Sequence, residues 1–387
     1  MAVTLGSERL LATDRLKGQR VGIVCNPASV DHNLSHIVDR MATHAGARLA
    51  AIFGPQHGFR SDVQDNMIET AHTEDEIRRV PIYSLYSETR EPTPAMLRDL
   101  DVLVIDLQDV GVRIYTYIYT MANCLKAARR QGLKVIVCDR PNPIGGVQVE
   151  GPVLVKGHES FVGMYPIPMR HGMTIAEIAR LFNDHFGIGA DLETVAMEGW
   201  RRDMYFDDTD RTWILSSPNI PTFDTTTVYP GAVLFEGTNV SEGRGTTRPF
   251  EFLGAPWVVA ERFADAMNRR GLPGAFFRPV VFEPTFHKHA GHACGGCQVH
   301  VPDRGTFRAV EAGVALIEAF RASDPERFKW KAPPYEYELE RMPIDVLAGS
   351  TELREQIEAG VPAHDIARSW EAPTEAFLRI RQKFLLY

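Results

Sequence analysis

The chain has 387 residues, 44% of them apolar and 24% charged, which allows a large buried core and more than one domain. A formal charge of −8 without any block of lysine and arginine argues against a nucleic-acid partner, because phosphate backbones are bound by clustered cations. The longest apolar runs, near 101–107 and 133–138, have strand length and fall far short of a membrane span.

Residues 1–16 lack the basic start, apolar stretch and small-residue cleavage site of an export signal, so a cytoplasmic location is expected. The elements that follow alternate. RVGIVCN (20–26) reads as a strand, 34–45 as a helix ending near Gly46, and ARLAAIFG (47–54) as a second strand. VPIYSLY (80–86) and DVLVIDL (101–107) are the third and fourth. A helix over 115–131 stops at Gly132, and LKVIVCD (133–139) is the fifth strand. Near-continuous Val/Ile/Leu strands between helices predict a Rossmann-like, doubly wound α/β fold with a parallel sheet covered on both faces. The first strand runs into NPASV (26–30) rather than GxGxxG, and GxxxxGK[ST] occurs nowhere, so dehydrogenase and kinase readings drop out.

The stretch 149–257 is rich in Pro, Gly and Thr, with one helix over 174–186 that Thr174 and Glu177 open as a capping box. Beyond it the texture changes: a helix at 260–270, strands at 276–282 and 297–301, and a helix at 307–322. This predicts two domains, a catalytic one over 1–257 and a smaller α+β auxiliary one over 258–387. Of the five cysteines, Cys25 and Cys138 sit inside strand-like runs, as buried thiols do in a reducing compartment. Cys294 and Cys297 form a single CGGC near His287, His289 and His292. Without a second ligand pair, two small thiols at a glycine turn outweigh a metal site.

In open parallel sheets ligands bind beyond the carboxyl ends of the strands. There the chain carries Asn26, then Gln56 and His57, then Ser84, Tyr86 and Arg90. Asp106, Gln108, Asp109 and Arg113 follow the fourth strand; Asp139, Arg140 and Asn142 follow the fifth. Each alone is an ordinary turn or cap residue; five clusters on one edge predict a shared cleft. Tyr115, Tyr117 and Tyr119 alternate at a helix start, some for the core and one for the cleft. Arg170 and His171 precede a helix N-terminus, and Asn219 lies in the rigid loop SSPNIPT. The run FEGTNVSEGRGTTRPF (235–250) gathers Glu236, Asn239, Glu242 and Arg244 among three glycines. Glycines permit close backbone approach, Arg244 suits a carboxylate, and the glutamates suit acid/base work. Its apolar lead-in, 228–236, reads as a buried strand. Carboxylates, amides, aromatics and a few arginines suit an acidic sugar.

Taken in order, PQHGF, YSLY, DLQDVGVRIYTY, DRPNPIGG, VEGP, SFVGMYPIPMRHGMT, SPNIPT and FEGTNVSEGRGTTRPFE resemble the NamZ-type exo-β-N-acetylmuramidase family. The resemblance runs from about residue 21 to 387. It implies a Rossmann-like catalytic domain, a smaller C-terminal domain, release of terminal N-acetylmuramic acid from peptidoglycan fragments, and no metal or organic cofactor; the family is often exported, and the cytoplasmic location expected here would make the role one of recycling cell-wall sugars. It also implies a catalytic glutamate in Pro-Glu-His-Gly, where this chain has Gln56, an amide that cannot act as an acid. Glu69, Glu150, Glu236 and Glu242 are then the substitute carboxylates, with Asp109 or Asp139 orienting or stabilising charge. His57, Arg113, Asn142, His171 and Asn239 are expected on sugar hydroxyl and acetamido groups, and Arg244 on the lactyl carboxylate. Two carboxyl groups lie about 5–5.5 Å apart for retention and ~6.5–9.5 Å for inversion, unless the substrate's acetamido group assists. The rival reading is a muropeptide-binding protein without turnover, or a hydrolase of another amino sugar. Oligomeric state is not encoded in these motifs.

Overall fold

The computed structural model describes residues 2–64 and 68–387. Among the described residues, twelve strands form three sheets. The main sheet comprises β1 (Arg20–Cys25), β2 (Arg48–Gly54), β3 (Thr73–Asp75), β4 (Val80–Ser84), β5 (Val102–Asp106), β6 (Lys134–Cys138) and, later in the chain, β9 (Leu192–Val195). Between β6 and β9 lies the small antiparallel pair β7 (Glu150–Val153) and β8 (Pro168–Arg170). The order in the main sheet is β3-β4-β2-β1-β5-β6-β9, parallel except for the edge strand β3. All five strands expected from the sequence are present in the doubly wound arrangement. Their Val/Ile/Leu runs are buried because helices cover both faces.

The helices in chain order are α1 (Gly6–Leu11), α2 (Ile37–Ala42), α3 (Pro94–Leu97), α4 (Tyr117–Gln131), α5 (Ile175–Arg180) and α6 (Phe223–Ala232). α4 ends where Gly132 turns left-handed at φ 64°. α5 starts with the Thr174–Glu177 capping box and continues as a π-helical turn over Leu181–His185. α2 is shorter than the periodicity predicts.

The smaller C-terminal unit is an antiparallel sheet, β10 (Phe252–Ala255), β12 (Cys294–His300) and β11 (Phe276–Phe282) in that order. Its helices are α7 (Ala260–Arg269), α8 (Ala309–Ser323), α9 (Pro343–Ala348), α10 (Glu352–Glu358), α11 (Ala363–Ser369) and α12 (Glu371–Arg381). β10 precedes residue 258 yet pairs with β12, so the small sheet draws on chain from both sides of the expected boundary. Among the described residues, no helix is long and apolar enough to cross a membrane.

Two local expectations fail. The apolar run 228–236 is not a strand: it is the end of α6 followed by a 3₁₀ turn, Val233–Gly237. The reason is tertiary. A Cβ at Gly231 would lie 1.9 Å from the Ala309 carbonyl oxygen, so α6 meets the start of α8 backbone to backbone. CGGC is likewise no turn but the opening of β12. Side chains at 295 and 296 would strike the Val258 and Leu253 carbonyls at 2.1 and 1.9 Å, so the glycines serve close packing against neighbouring backbone. Cys294 and Cys297 are buried free thiols.

Candidate active site

Beyond the end of β2 the chain doubles back. His57 and Gly58 take φ 71° and 81°, and a Cβ at Gly54 would sit 2.5 Å from the Phe59 nitrogen. This turn points Gln56 inward. The Thr116 hydroxyl donates to Gln56 Oε1 at 2.8 Å, which leaves Nε2 to donate to Glu336 Oε1 at 3.1 Å. His57 Nδ1 lies 2.8 Å from the Val63 carbonyl. Tyr117, in the first turn of α4, donates to the Ser216 carbonyl at 2.9 Å. Asn219 donates to the Gln64 carbonyl at 2.9 Å, while its buried Oδ1 has no partner among the described residues.

The C-terminal unit supplies the opposite wall. Tyr335 and Glu338 exchange backbone hydrogen bonds at 2.9 Å in both directions, a tight turn with Glu336 and Tyr337 at its tip. Both tip residues have positive φ, 44° and 69°. Such turns favour Asn and Gly, and a bulky residue in the left-handed region costs on the order of 1–3 kcal/mol. Two such residues in succession mark a place where the side chains matter more than backbone comfort.

Gln56, His57, Tyr117, Asn219, Glu236, Arg244, Tyr335 and Glu336 line one cavity. Glu236 and Glu336, both almost fully buried, meet different partners. Glu236 receives Arg244 Nη2 at 2.7 Å and the Tyr335 hydroxyl at 2.6 Å. Glu336 receives the neutral donors Gln56 Nε2 and Tyr86 Oη, the latter at 2.9 Å. Burial pushes the Glu336 carboxyl above its ordinary range; the two donors pull it back in part, and Glu236 adds to the upward push. Arg244 Nη1 is buried at the cavity wall without a hydrogen-bond partner among the described residues.

Of the residues the sequence singles out, Gln56, His57, Tyr115, Tyr117, Asn219, Glu236 and Arg244 line this cavity, and the following do not. Glu242 lies behind Arg244, 2.7 Å from Lys288 Nζ and 3.3 Å from Arg244 Nε. Against the opposing push of burial, Lys288, His287 and Arg244 hold its carboxyl down at about 2, so it is a fixed anion rather than an acid. Glu150 accepts from the Ala309 and Val310 nitrogens at the start of α8 and pairs with Arg170 at 3.2 Å. Arg170 also donates to the Ile144 carbonyl. Both are spent on joining β7, β8 and α8. Asp139 caps α5, receiving the Thr174 hydroxyl at 2.8 Å and the Ala176 nitrogen at 3.0 Å, and it also receives the Tyr387 hydroxyl at 2.8 Å. Burial raises it to about 7.

Arg113 is wholly buried and donates to the Leu347 and Ala348 carbonyls at the end of α9. Asn142 braces the Met173 carbonyl and the Ile144 nitrogen, and Asn239 braces 327–329. Asp109 and His171 form a buried pair at 3.7 Å, off the cavity lining. Burial raises Asp109 to about 7 and lowers His171 to about 3. Glu69 sits on the exterior beside Arg90. The strand-end polar groups are therefore two populations. Asn26, Asp106, Gln108 and Arg140 satisfy one another and the backbone, as in the Arg140–Asp106 ion pair at 2.6 Å. The cleft is built from the turn after β2 and from loops across the sheet edge. Glu336 lies in PPYEYELE (333–340) and was not singled out; carboxylates and tyrosines alternating behind two prolines were the available signal.

Two family models divide the chain. The N-terminal domain of the exo-β-N-acetylmuramidase NamZ matches residues 21–224 and its C-terminal domain matches 227–387. The chain is 46% identical over 373 residues to the peptidoglycan β-N-acetylmuramidase NamZ of Bacillus subtilis, covering 96% of this chain and 88% of that protein. Crystal structures of two DUF1343 family proteins from Bacteroides fragilis superpose with TM-scores of 0.90 and 0.76 at 36% and 28% identity. Each comparison covers 100% of this chain and 99% of the other.

Proposed function

Because the chain belongs to the NamZ family of exo-β-N-acetylmuramidases, a family of glycoside hydrolases, we propose that it removes terminal β-linked N-acetylmuramic acid from peptidoglycan fragments, with Glu336 as the acid. The observation that carries this assignment is the pairing of two buried glutamates on one cavity in unlike environments, Glu236 in an ion pair with Arg244 and Glu336 accepting from the Gln56 amide and the Tyr86 hydroxyl. Unlike surroundings let two carboxyls in one cleft take different roles. Glu336 donates its proton to the glycosidic oxygen as the bond to C1 breaks, and water supplies the hydroxyl that replaces the leaving sugar. The Glu236 carboxylate stabilises the positive charge that develops on the ring. Arg244 Nη1 is placed to receive the lactyl carboxylate, and Asn219 Oδ1 to accept the acetamido N–H.

In this reading Gln56 is not a decayed acid. Its amide faces the acid and holds it, which accounts for an amide at this position.

The test is Glu336→Gln. Hydrolysis of the disaccharide in which N-acetylmuramic acid is β-linked to N-acetylglucosamine should fall ~10²–10⁴-fold. A muramoside with an activated aryl leaving group, which needs little protonation, should lose much less. The pH profile carries a sign: only the protonated acid works and its pKa is raised, so parent activity persists above the ordinary carboxyl range and falls as pH climbs through the raised value. Equal loss on both substrates, or no loss, removes Glu336 from this role.

A further inference from the structure

Tyr337 shares the turn tip with Glu336 but points to a different place. It is 48% exposed, although its backbone takes the left-handed φ of 69°. Asn or Gly would make the same turn at lower backbone cost, so the side chain is what the position retains.

The surroundings of the ring are ordered. The Arg90 guanidinium lies between two rings, its Cζ 4.2 Å from the Tyr86 centroid and 4.3 Å from the Tyr337 centroid. Tyr86 is the residue whose hydroxyl holds Glu336, and Phe161 packs 5.7 Å from it. Glu69 Oε1 closes the rim, 3.2 Å from Arg90 Nη2 and 3.4 Å from the Tyr337 hydroxyl. Arg90 lies against the Tyr337 ring, and about half of the residue's surface stays exposed. An aromatic platform flanked by an arginine and a carboxylate therefore begins one residue from the carboxyl assigned as the acid.

We propose that this platform is the leaving-group subsite, on which the pyranose ring of the sugar next to the muramic acid stacks. The inference rests on Glu336 as the acid: protonation of the glycosidic oxygen places the departing sugar on the acid's side of the cleft, and Tyr337 is the ordered apolar face there. A pyranose presents axial C–H groups to an aromatic face, and its hydroxyl and amide groups match Glu69 and Arg90 at the rim.

The experiment compares two substrates on three proteins. The substrates are the disaccharide above and the methyl β-glycoside of N-acetylmuramic acid, which leaves the platform empty; the proteins are the parent, Tyr337→Phe and Tyr337→Ala. The parent should favour the disaccharide in kcat/KM by ~10-fold, the equivalent of one aromatic contact. Tyr337→Phe should keep that preference and Tyr337→Ala should abolish it, mainly through KM. If Tyr337→Ala keeps the preference, or if the parent has none, there is no stacking subsite at Tyr337. Failure of the underlying reading looks different: Glu336→Gln would then retain disaccharide turnover whatever Tyr337 does.

Discussion

At the scale of single residues, the cleft turns on which polar atoms are already committed. Glu150, Glu242 and Asp139 look as reactive in the sequence as Glu236 does, yet each is consumed, by a helix start, a lysine and an arginine, or a C-terminal tyrosine. Gln56 is the informative case. As an amide it donates to Glu336 with one atom and accepts from Thr116 with the other. Gln56→Glu would exchange that donor for a second carboxyl within hydrogen-bonding distance of the first, and two such groups share a proton rather than ionise together. The expected result is a fall in disaccharide turnover of about tenfold, the effect of a 1.4 kcal/mol disturbance, with the alkaline limb of the pH profile moved upward. A gain in turnover would mean that position 56 is the natural seat of the acid. Steady-state rates across pH decide between the two.

At the scale of elements, Glu236 is aimed by α6, and α6 is placed by its crossing with α8. The two helices touch at Gly231 and Gly313. A Cβ on Gly313 would lie 2.5 Å from the Gly231 carbonyl oxygen, and backbone cannot swing aside as a side chain can. Helix propensity alone says that Gly313→Ala should stabilise by about 1 kcal/mol. Overpacking against backbone costs typically ~1–3 kcal/mol, so the steric effect wins. Gly313→Ala is expected to lower the thermal midpoint and to reduce turnover, because a displaced α6 carries Glu236 with it. An unchanged or higher midpoint in a thermal melt would refute the close-packed crossing as the device that sets Glu236. The apolar run 228–236 lies at this crossing as the end of α6 and the turn after it.

At the scale of the molecule, the second unit completes the first. It contributes Tyr335 and Glu336 to the cavity, while its end returns to the main sheet. Arg381 donates to the Gly146 and Gly172 carbonyls, the Leu386 nitrogen donates to Glu177, and the Tyr387 hydroxyl donates to Asp139. That hydroxyl also receives the Met197 nitrogen at 2.5 Å. Tyr387→Phe keeps the ring packed on Trp200 and deletes both bonds, which leaves a buried carboxyl and a backbone donor short of partners. The expected loss is ~1–3 kcal/mol, seen as a thermal midpoint lower by a few degrees. A midpoint equal to the parent's would show that the tail is merely draped on the sheet.

The chain order of strands, the capping box at Thr174, the doubly wound sheet and the family membership were all legible in the sequence. These features are local in sequence: burial on both faces writes itself as unbroken apolar runs, and motif order survives in one dimension. Part of the cleft was legible for the same reason, since Gln56, Tyr117 and the 235–250 run follow recognisable elements. The division of the strand-end polar groups into structural and cavity-facing sets was not, because it depends on partners as far apart as Asp139 and Tyr387. Glu336 was hidden in the same way. The alternating PPYEYELE run around it does not say which of its glutamates is buried; its role arises only when a strained turn from the second unit brings it, 280 positions away, onto the Gln56 amide.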